Sequence, residues 1–233
     1  MKHSISIILI LILFMQMRIT TFASDEEWNL FSNPIVGEDG IAILEEEVLD
    51  VVDPGNMQDP IRCFAVSEDG RVAIGTQNAS NAKVLILDVD GNILSAYAFD
   101  CGSEFGVLFL NNDLAIYYNR SKRIVLYDAE GNAKAAYAIP SSAECAELAI
   151  HIMEATQIER NGIMYRLERD IKFDDREYCR LIKYDDTQQR TVLYDVTPFH
   201  NLRVVVCYTG LGLFVLLWIG FAVQKVKHDR TVQ

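Results

Sequence analysis

Few residues in this chain have the types and spacing to do chemistry. Asp88-x-Asp90-Gly91 has the spacing of part of a calcium loop, in which alternating oxygens close on a hard cation. The pattern fails on both sides, because Ile86 and Tyr97 stand where an earlier acidic ligand and a later Glu are needed. Asp174-Asp175-Arg176-Glu177 and Asp185-Asp186 read first as solvated acidic loops and only second as weak cation sites. Gly102-Ser103-Glu104-Phe105-Gly106 holds glycines and a serine, but not in the order of a nucleophile elbow. His151 reads as a packed or surface helix residue, and His200 lies beside an apolar segment, so neither reads as a general base. No catalytic residue, cofactor-binding residue or metal ligand is assigned from these patterns.

Cysteine usage leaves two readings. Cys63, Cys101, Cys145 and Cys179 lie between the two terminal apolar segments, and Cys207 lies within the second. In an exported domain an even number permits two disulfides, with three connectivities open; in a reducing habitat the same residues are buried thiols. Their spacing is too wide for a CxxC redox or zinc site.

The two ends set the address. Lys2 precedes an apolar run from Ile5 to Met17, followed by Thr21-Phe22-Ala23. A core of about 13 residues spans roughly 20 Å as a helix, short of a ~30 Å hydrocarbon layer, so residues 1–23 read as a cleaved signal peptide, with an uncleaved anchor as the rival. Val204 to Val223 carries no charge over about 20 residues, the length one helix needs to cross a bilayer. Lys225, Lys227 and Arg230 follow it, which puts residues 224–233 in the cytoplasm as a short tail. The expected protein is therefore a single-pass type I membrane protein with residues 24–203 outside.

Composition supports one domain of about 180 residues, enough for a single core. The chain has a net charge of −12. Removing Lys2 and Arg18 with the signal, and the tail's surplus of two positive charges, leaves the ectodomain at about −16. Such a domain repels nucleic acid and suits cations or basic partners, although most of the charge reads as solvated surface.

An internal repeat gives the architecture. Residues 84–99 (VLILDVDGNILSAYAF) align without a gap on residues 124–139 (IVLYDAEGNAKAAYAI) at an offset of 40. Asp88 falls on Asp128, Gly91 on Gly131 and Tyr97 on Tyr137. Upstream, Val72-Ala73-Ile74 pairs with Leu114-Ala115-Ile116, and a weaker third copy begins at Arg180-Leu181-Ile182. Each unit reads as four short strands; the first has them near 62–66, 71–77, 83–88 and 92–98. Gly70, Gly91 and Gly131 are then structural turn residues, because tight hairpins demand positive φ. The tyrosines read as core or inter-unit packing. Asn78 and Asn119 open sequons between the second and third strands, which matter only in a glycosylating host.

A four-stranded antiparallel unit repeated every ~40 residues is a β-propeller blade. Residues 61–140 resemble the blades of the broad NHL, SMP-30 and TolB-like propeller group. The resemblance implies turn roles for Asp88, Asp90, Gly91 and for Asp128, Glu130, Gly131. The fold class expected is all-β, with about three to four propeller-like blades in a ring that need not close, plus one C-terminal transmembrane helix. Ile35 to Val52 could supply strands of a fourth blade around Glu38-Asp39-Gly40. Ser141 to Ala155 has a capping-box start, Ser141-x-x-Glu144, and helical spacing of Cys145, Leu148, Ala149 and Ile152, though its alternation would also serve a strand.

The leading functional expectation is a membrane-anchored binding module for a protein or cell-envelope ligand, without catalysis or cofactor. A metal-dependent propeller hydrolase or lactonase is the alternative, and a degenerate structural envelope protein the third reading.

Overall fold

The computed structural model describes residues 33–36, 38–169 and 177–231. The expected signal peptide, residues 1–23, and the acidic stretch at Asp174-Asp175-Arg176 lie outside them. In chain order the elements are β1 (Asn33–Pro34), α1 (Glu38–Glu46), β2 (Asp50–Val51), a 3-10 turn (Pro54–Asn56), β3 (Ile61–Val66), β4 (Val72–Asn78), β5 (Asn81–Leu87) and β6 (Ile93–Asp100). There follow β7 (Phe105–Leu110), β8 (Asp113–Tyr118), β9 (Arg123–Tyr127), β10 (Ala133–Ala138), α2 (Ala143–Glu154), β11 (Gln157–Arg160), β12 (Ile163–Arg169), β13 (Tyr178–Tyr184), β14 (Arg190–Asp195) and α3 (Thr197–Thr231). All strand pairs are antiparallel.

Three meanders carry the fold: β3–β6, β7–β10 and β11–β14. Strand pairing among the described residues links the first and third through a single residue pair, Tyr178 with Ile61. They stack face to face, with β3–β6 in the middle. Its side chains alternate between two cores, as the period of two in a strand requires. Cys63, Ala65, Ala73, Val84 and Ile86 pack with Phe105, Val107, Ile116 and Tyr127 of the second meander. Phe64, Val66, Ile74, Leu85 and Leu87 pack with Ile158, Tyr165, Leu167 and Leu181 of the third. A sheet buried on both faces explains why Val84 to Leu87 is an unbroken apolar run.

Both outer faces are finished. Leu108, Ala115, Tyr117 and Ile124 of the second meander pack under Ala149 and Ile152 of α2. The third meander instead turns a charged face outward, where Glu168 accepts from Arg190 at 2.9 Å and Arg180 lies 3.8 Å away. The strand pairings among the described residues do not join the ends into a ring.

Two expectations are corrected. The segment Ile35 to Val52 forms no fourth blade. Its middle is the helix α1, whose Ile43 and Leu44 pack on the core between the first two meanders; the two-residue strand β1 precedes the segment and β2 lies near its end. Those short strands extend existing edges: β1 joins β10 and β2 joins β6, which covers edges that would otherwise be open. Gly40 permits the chain to fold back there, since a Cβ would sit 2.4 Å from the carbonyl oxygen of Ile35. The helix expected within Ser141 to Ala155 is α2, and the second correction concerns only its cap. Its N-cap is Ser142, whose hydroxyl accepts from the Cys145 N–H at 3.2 Å, one residue later than the expected Ser141-x-x-Glu144 box. Ser142 has the extended backbone a cap requires, and Glu144 falls within the first turn, where its carboxylate suits the helix dipole.

Tyr118 and Tyr127 share a buried hydrogen bond of 2.7 Å between their hydroxyls in the first core. Burial pushes the Tyr127 phenol up to about 12 and raises Tyr118 as well, so both stay protonated. Tyr127→Phe should lower stability by about 1–3 kcal/mol, because it strands the Tyr118 hydroxyl away from water. The Tyr118→Phe/Tyr127→Phe double variant should recover most of that loss, since both partners are then gone. Chemical denaturation of the solubilised chain reads both; a double variant as weak as the sum of the singles would contradict the pairing.

Candidate functional site: the two ends of the β domain

The meanders have two ends that differ in chemistry. At one end lie the turns β3–β4, β5–β6, β9–β10 and β13–β14. Cross-links hold this end together: Asn161 Nδ2 donates to Glu68 O at 2.9 Å, and Lys183 Nζ donates to Val89 O at 2.8 Å. Four turns here repeat one construction. Asp88 N donates to Asn92 O at 2.9 Å and Gly91 N to Asp88 O at 3.1 Å; Asp128 to Asn132 repeats this at 3.0 and 3.2 Å. Ser67 to Arg71 and Asp185 to Gln189 do the same. This is the three-residue hairpin loop, a turn followed by a residue at positive φ. Gly70, Gly91 and Gly131 hold that position with φ of +85°, +87° and +87°. In the third meander Gln188 holds it at φ +63°, which is why this copy is faint in the sequence.

The leading aspartates are staples rather than free ligands. Asp88 Oδ1 accepts from the N–H of Asp90 (2.9 Å) and Asn92 (2.8 Å), and Asp128 and Asp185 accept likewise. Side-chain and backbone donors from Asn92 hold the Asp88 carboxyl below the ordinary carboxylate value. Asn132 does this for Asp128, and Thr187 with Gln189 for Asp185. At Asp69 burial works in the opposite direction but is outweighed by hydrogen bonds from Ser67 and Arg71. Carboxyls depressed in the folded state add stability above their unfolded value of about 4, and that contribution is lost as pH falls through the folded values. The melting temperature should therefore be flat from neutral to about pH 5 and fall below about pH 4. The Asp88→Asn/Asp128→Asn variant should show a shallower acid limb; an unchanged limb would place the acid sensitivity elsewhere.

The opposite end is where α3 leaves. Its first turns are docked on the domain: Val196 N donates to Cys179 O at 3.0 Å, and His200 is buried. Arg203 donates to Asp59 Oδ1 at 2.7 Å, and Lys83 Nζ lies 4.0 Å from the other oxygen. Asp59 is 6% exposed, so two cations offset the charge it brings into the interior. Glu177 sits between Arg62, at 3.6 Å, and His200 Nδ1, at 3.4 Å. Asp59, Arg62, Glu177, His200 and Arg203 border a cavity of about 510 Å³ whose other wall is α3. A neighbouring cleft of about 580 Å³ shares Arg62, Gln77 and Ala79 with it and reaches Ser103, Glu104 and Glu154. Gln77 Nε2 ties this end together through Ala79 O (3.1 Å), Cys101 O (3.2 Å) and Ser103 O (3.0 Å). Sequence patterns missed this cluster because its members come from segments up to about 140 residues apart. The one available signal was Arg203, a lone charge at the mouth of an apolar run.

The other residues singled out in the sequence are dispersed. Cys63, Cys101, Cys145 and Cys179 are all buried and all stand as thiols. Burial pushes the Cys63 thiol up to about 12, which removes its nucleophilicity at neutral pH. His151 is exposed on α2, whereas His200 is buried at the start of α3. Ser103 donates to the carbonyl of Glu104 at 3.3 Å. No group of three or more His, Cys, Asp or Glu among the described residues is placed to hold a metal ion. Tyr97 does bridge meanders, its hydroxyl donating to Ala129 O at 2.7 Å.

The molecule is thus a mostly β protein of antiparallel sheets that ends in a single apolar helix. Thr197–Ile219 is long and apolar enough to cross a membrane, and its most apolar window is wholly exposed. No protein-family model matches the chain, and a search of curated proteins finds no match. Among solved structures it is similar to selenomethionine-substituted virginiamycin B lyase from Staphylococcus aureus, at 14% identity and a TM-score of 0.28, over 62% of this chain and 44% of that one. It is also similar to a streptogramin B lyase, at 16% identity and a TM-score of 0.27, over 62% and 43%. The chain spans less than half the length of either lyase. Nothing about the activity of this chain follows from that likeness.

Proposed function

We propose that this chain is a single-pass type I membrane protein whose extracytoplasmic domain is an open arc of three propeller-type blades. In this reading the arc acts as a binding module. The observation that carries it is the opposition of the two ends. Arg203, Asp59 and the first turns of α3 seat the domain at the membrane by one end. The repeated turns with Asp69, Asp88, Asp90, Asp128, Glu130, Asp185 and Asp186 then point away from it. Rigid turns stapled by their own aspartates are suited to present charge without losing much conformational entropy on binding. An acidic surface suits a basic protein or cell-envelope ligand and disfavours nucleic acid. The three units need no further blade, because α2 covers one outer face and charged side chains solvate the other. Lys225, Lys227 and Arg230 after the span favour a cytoplasmic tail.

Two measurements test the reading. The full chain should stay with membranes in alkaline carbonate and be released by detergent, while protease added to intact cells should remove the β domain. Recovery in a soluble fraction without detergent would refute the anchor. For the binding face, a photo-crosslinker at the exposed Ala129 should capture a ligand on intact cells, and Asp90→Lys/Glu130→Lys in the same chain should abolish the adduct. An adduct indifferent to that charge reversal would refute the acidic face as the binding surface.

A further inference from the structure

We infer that the cavity between the β domain and α3 is a binding site for one phospholipid of the outer leaflet. The inference rests on the membrane-anchored reading above. Its walls are of two kinds. Val204, Cys207, Tyr208 and Leu211, all from α3, line one side. Their spacing of three, four and seven residues is a single helix stripe, and it lies where the uncharged run begins. The facing wall is polar and comes from the domain: Arg62, Gln77, Asn78 and Glu177. An occupant must therefore be charged at one end and apolar at the other.

The sign of the charge follows from the side chains present. Arg62, Arg203 and Lys83 stand against two carboxylates, Asp59 and Glu177. This leaves an excess of one positive charge in a domain whose net charge is strongly negative, and one phosphodiester would neutralise it. Arg203 and Lys83 are committed to Asp59. Arg62 is not: its side chain is 53% exposed and stands 3.6 Å from Glu177, beyond hydrogen-bond distance, so its planar fork can turn to a phosphate. The acyl chains continue along the stripe toward Leu211. At about 510 Å³ the cavity holds a headgroup and glycerol but not whole acyl chains, which remain in the bilayer.

The full-length protein, purified in mild detergent from membranes and transferred to nanodiscs of phosphatidylethanolamine and phosphatidylglycerol, provides the test. Native mass spectrometry should find one phospholipid retained per chain. Arg62→Gln should lower that occupancy roughly tenfold, the scale of one charge-assisted contact. Leu211→Gln, on the apolar wall, should lower it too, whereas Lys134→Gln at the far end should leave it unchanged. Membrane-integrated protein that retains no phospholipid, or retains it equally with Arg62→Gln, would overturn the site. Displacement of the lipid by millimolar inorganic phosphate would overturn it also, showing a plain anion site. A chain that proves soluble without detergent would instead refute the anchor, and the two failures are distinguishable.

Discussion

Phe64→Ala should destabilise the folded domain by about 3–5 kcal/mol, the range for deleting a fully buried aromatic ring. Phe64 has no solvent exposure and is paired across the central meander with Ile74. It faces the core that holds Tyr165, Leu167 and Leu181. The packing of the third meander on the first depends on that ring, because strand pairing among the described residues joins them through only one residue pair. Denaturant unfolding of the detergent-solubilised chain should show the loss, with Ile93→Ala, at an exposed position, changing stability by less than about 0.5 kcal/mol. A loss under about 1 kcal/mol for Phe64→Ala would mean the third meander does not pack on this face.

Gly75→Val tests the other face and should be of similar size, about 3 kcal/mol or more. Gly75 lies opposite Cys63 in the ladder, and a Cβ there would sit 2.5 Å from Cys63 Sγ and 3.0 Å from the Phe105 ring. Both neighbours are buried, so neither can move aside, and overpacking of this kind costs at least 1–3 kcal/mol. The clash is specific, so relief is too: Gly75→Ala should be tolerated far better beside Cys63→Ala than alone. Strict additivity of the two substitutions, read from a double-variant cycle, would rule out the contact.

Much of the fold was legible because it is written in local patterns. The gapless match of residues 84–99 to 124–139 placed β5, β6, β9 and β10, and the continuous apolar run at Val84 to Leu87 marked a strand covered on both sides. The third copy was faint because Gln188 stands at the positive-φ position that glycine marks in the others. The segment Ile35 to Val52 misled for a different reason. Glu38-Asp39-Gly40 looks like a hairpin turn, yet the glycine serves a close approach to Ile35 and the rest winds into α1. Ser141 and Ser142 are neighbours of the same type, and only backbone geometry chose the second as the cap.

The sequence alone determined that the chain ends in an apolar helix of membrane-crossing length, because hydrophobicity and length are properties of consecutive residues. It determined the four-stranded period as well, since turn chemistry and strand alternation act over a few positions. Tertiary structure alone decided that the β3–β6 meander sits between the other two, that α2 and not a further sheet covers one side, and that Asp59, Arg62, Glu177 and Arg203 meet at the base of α3. Those choices turn on which faces bury against each other and on which distant charges offset one another, and neither leaves a mark in any short stretch of residues.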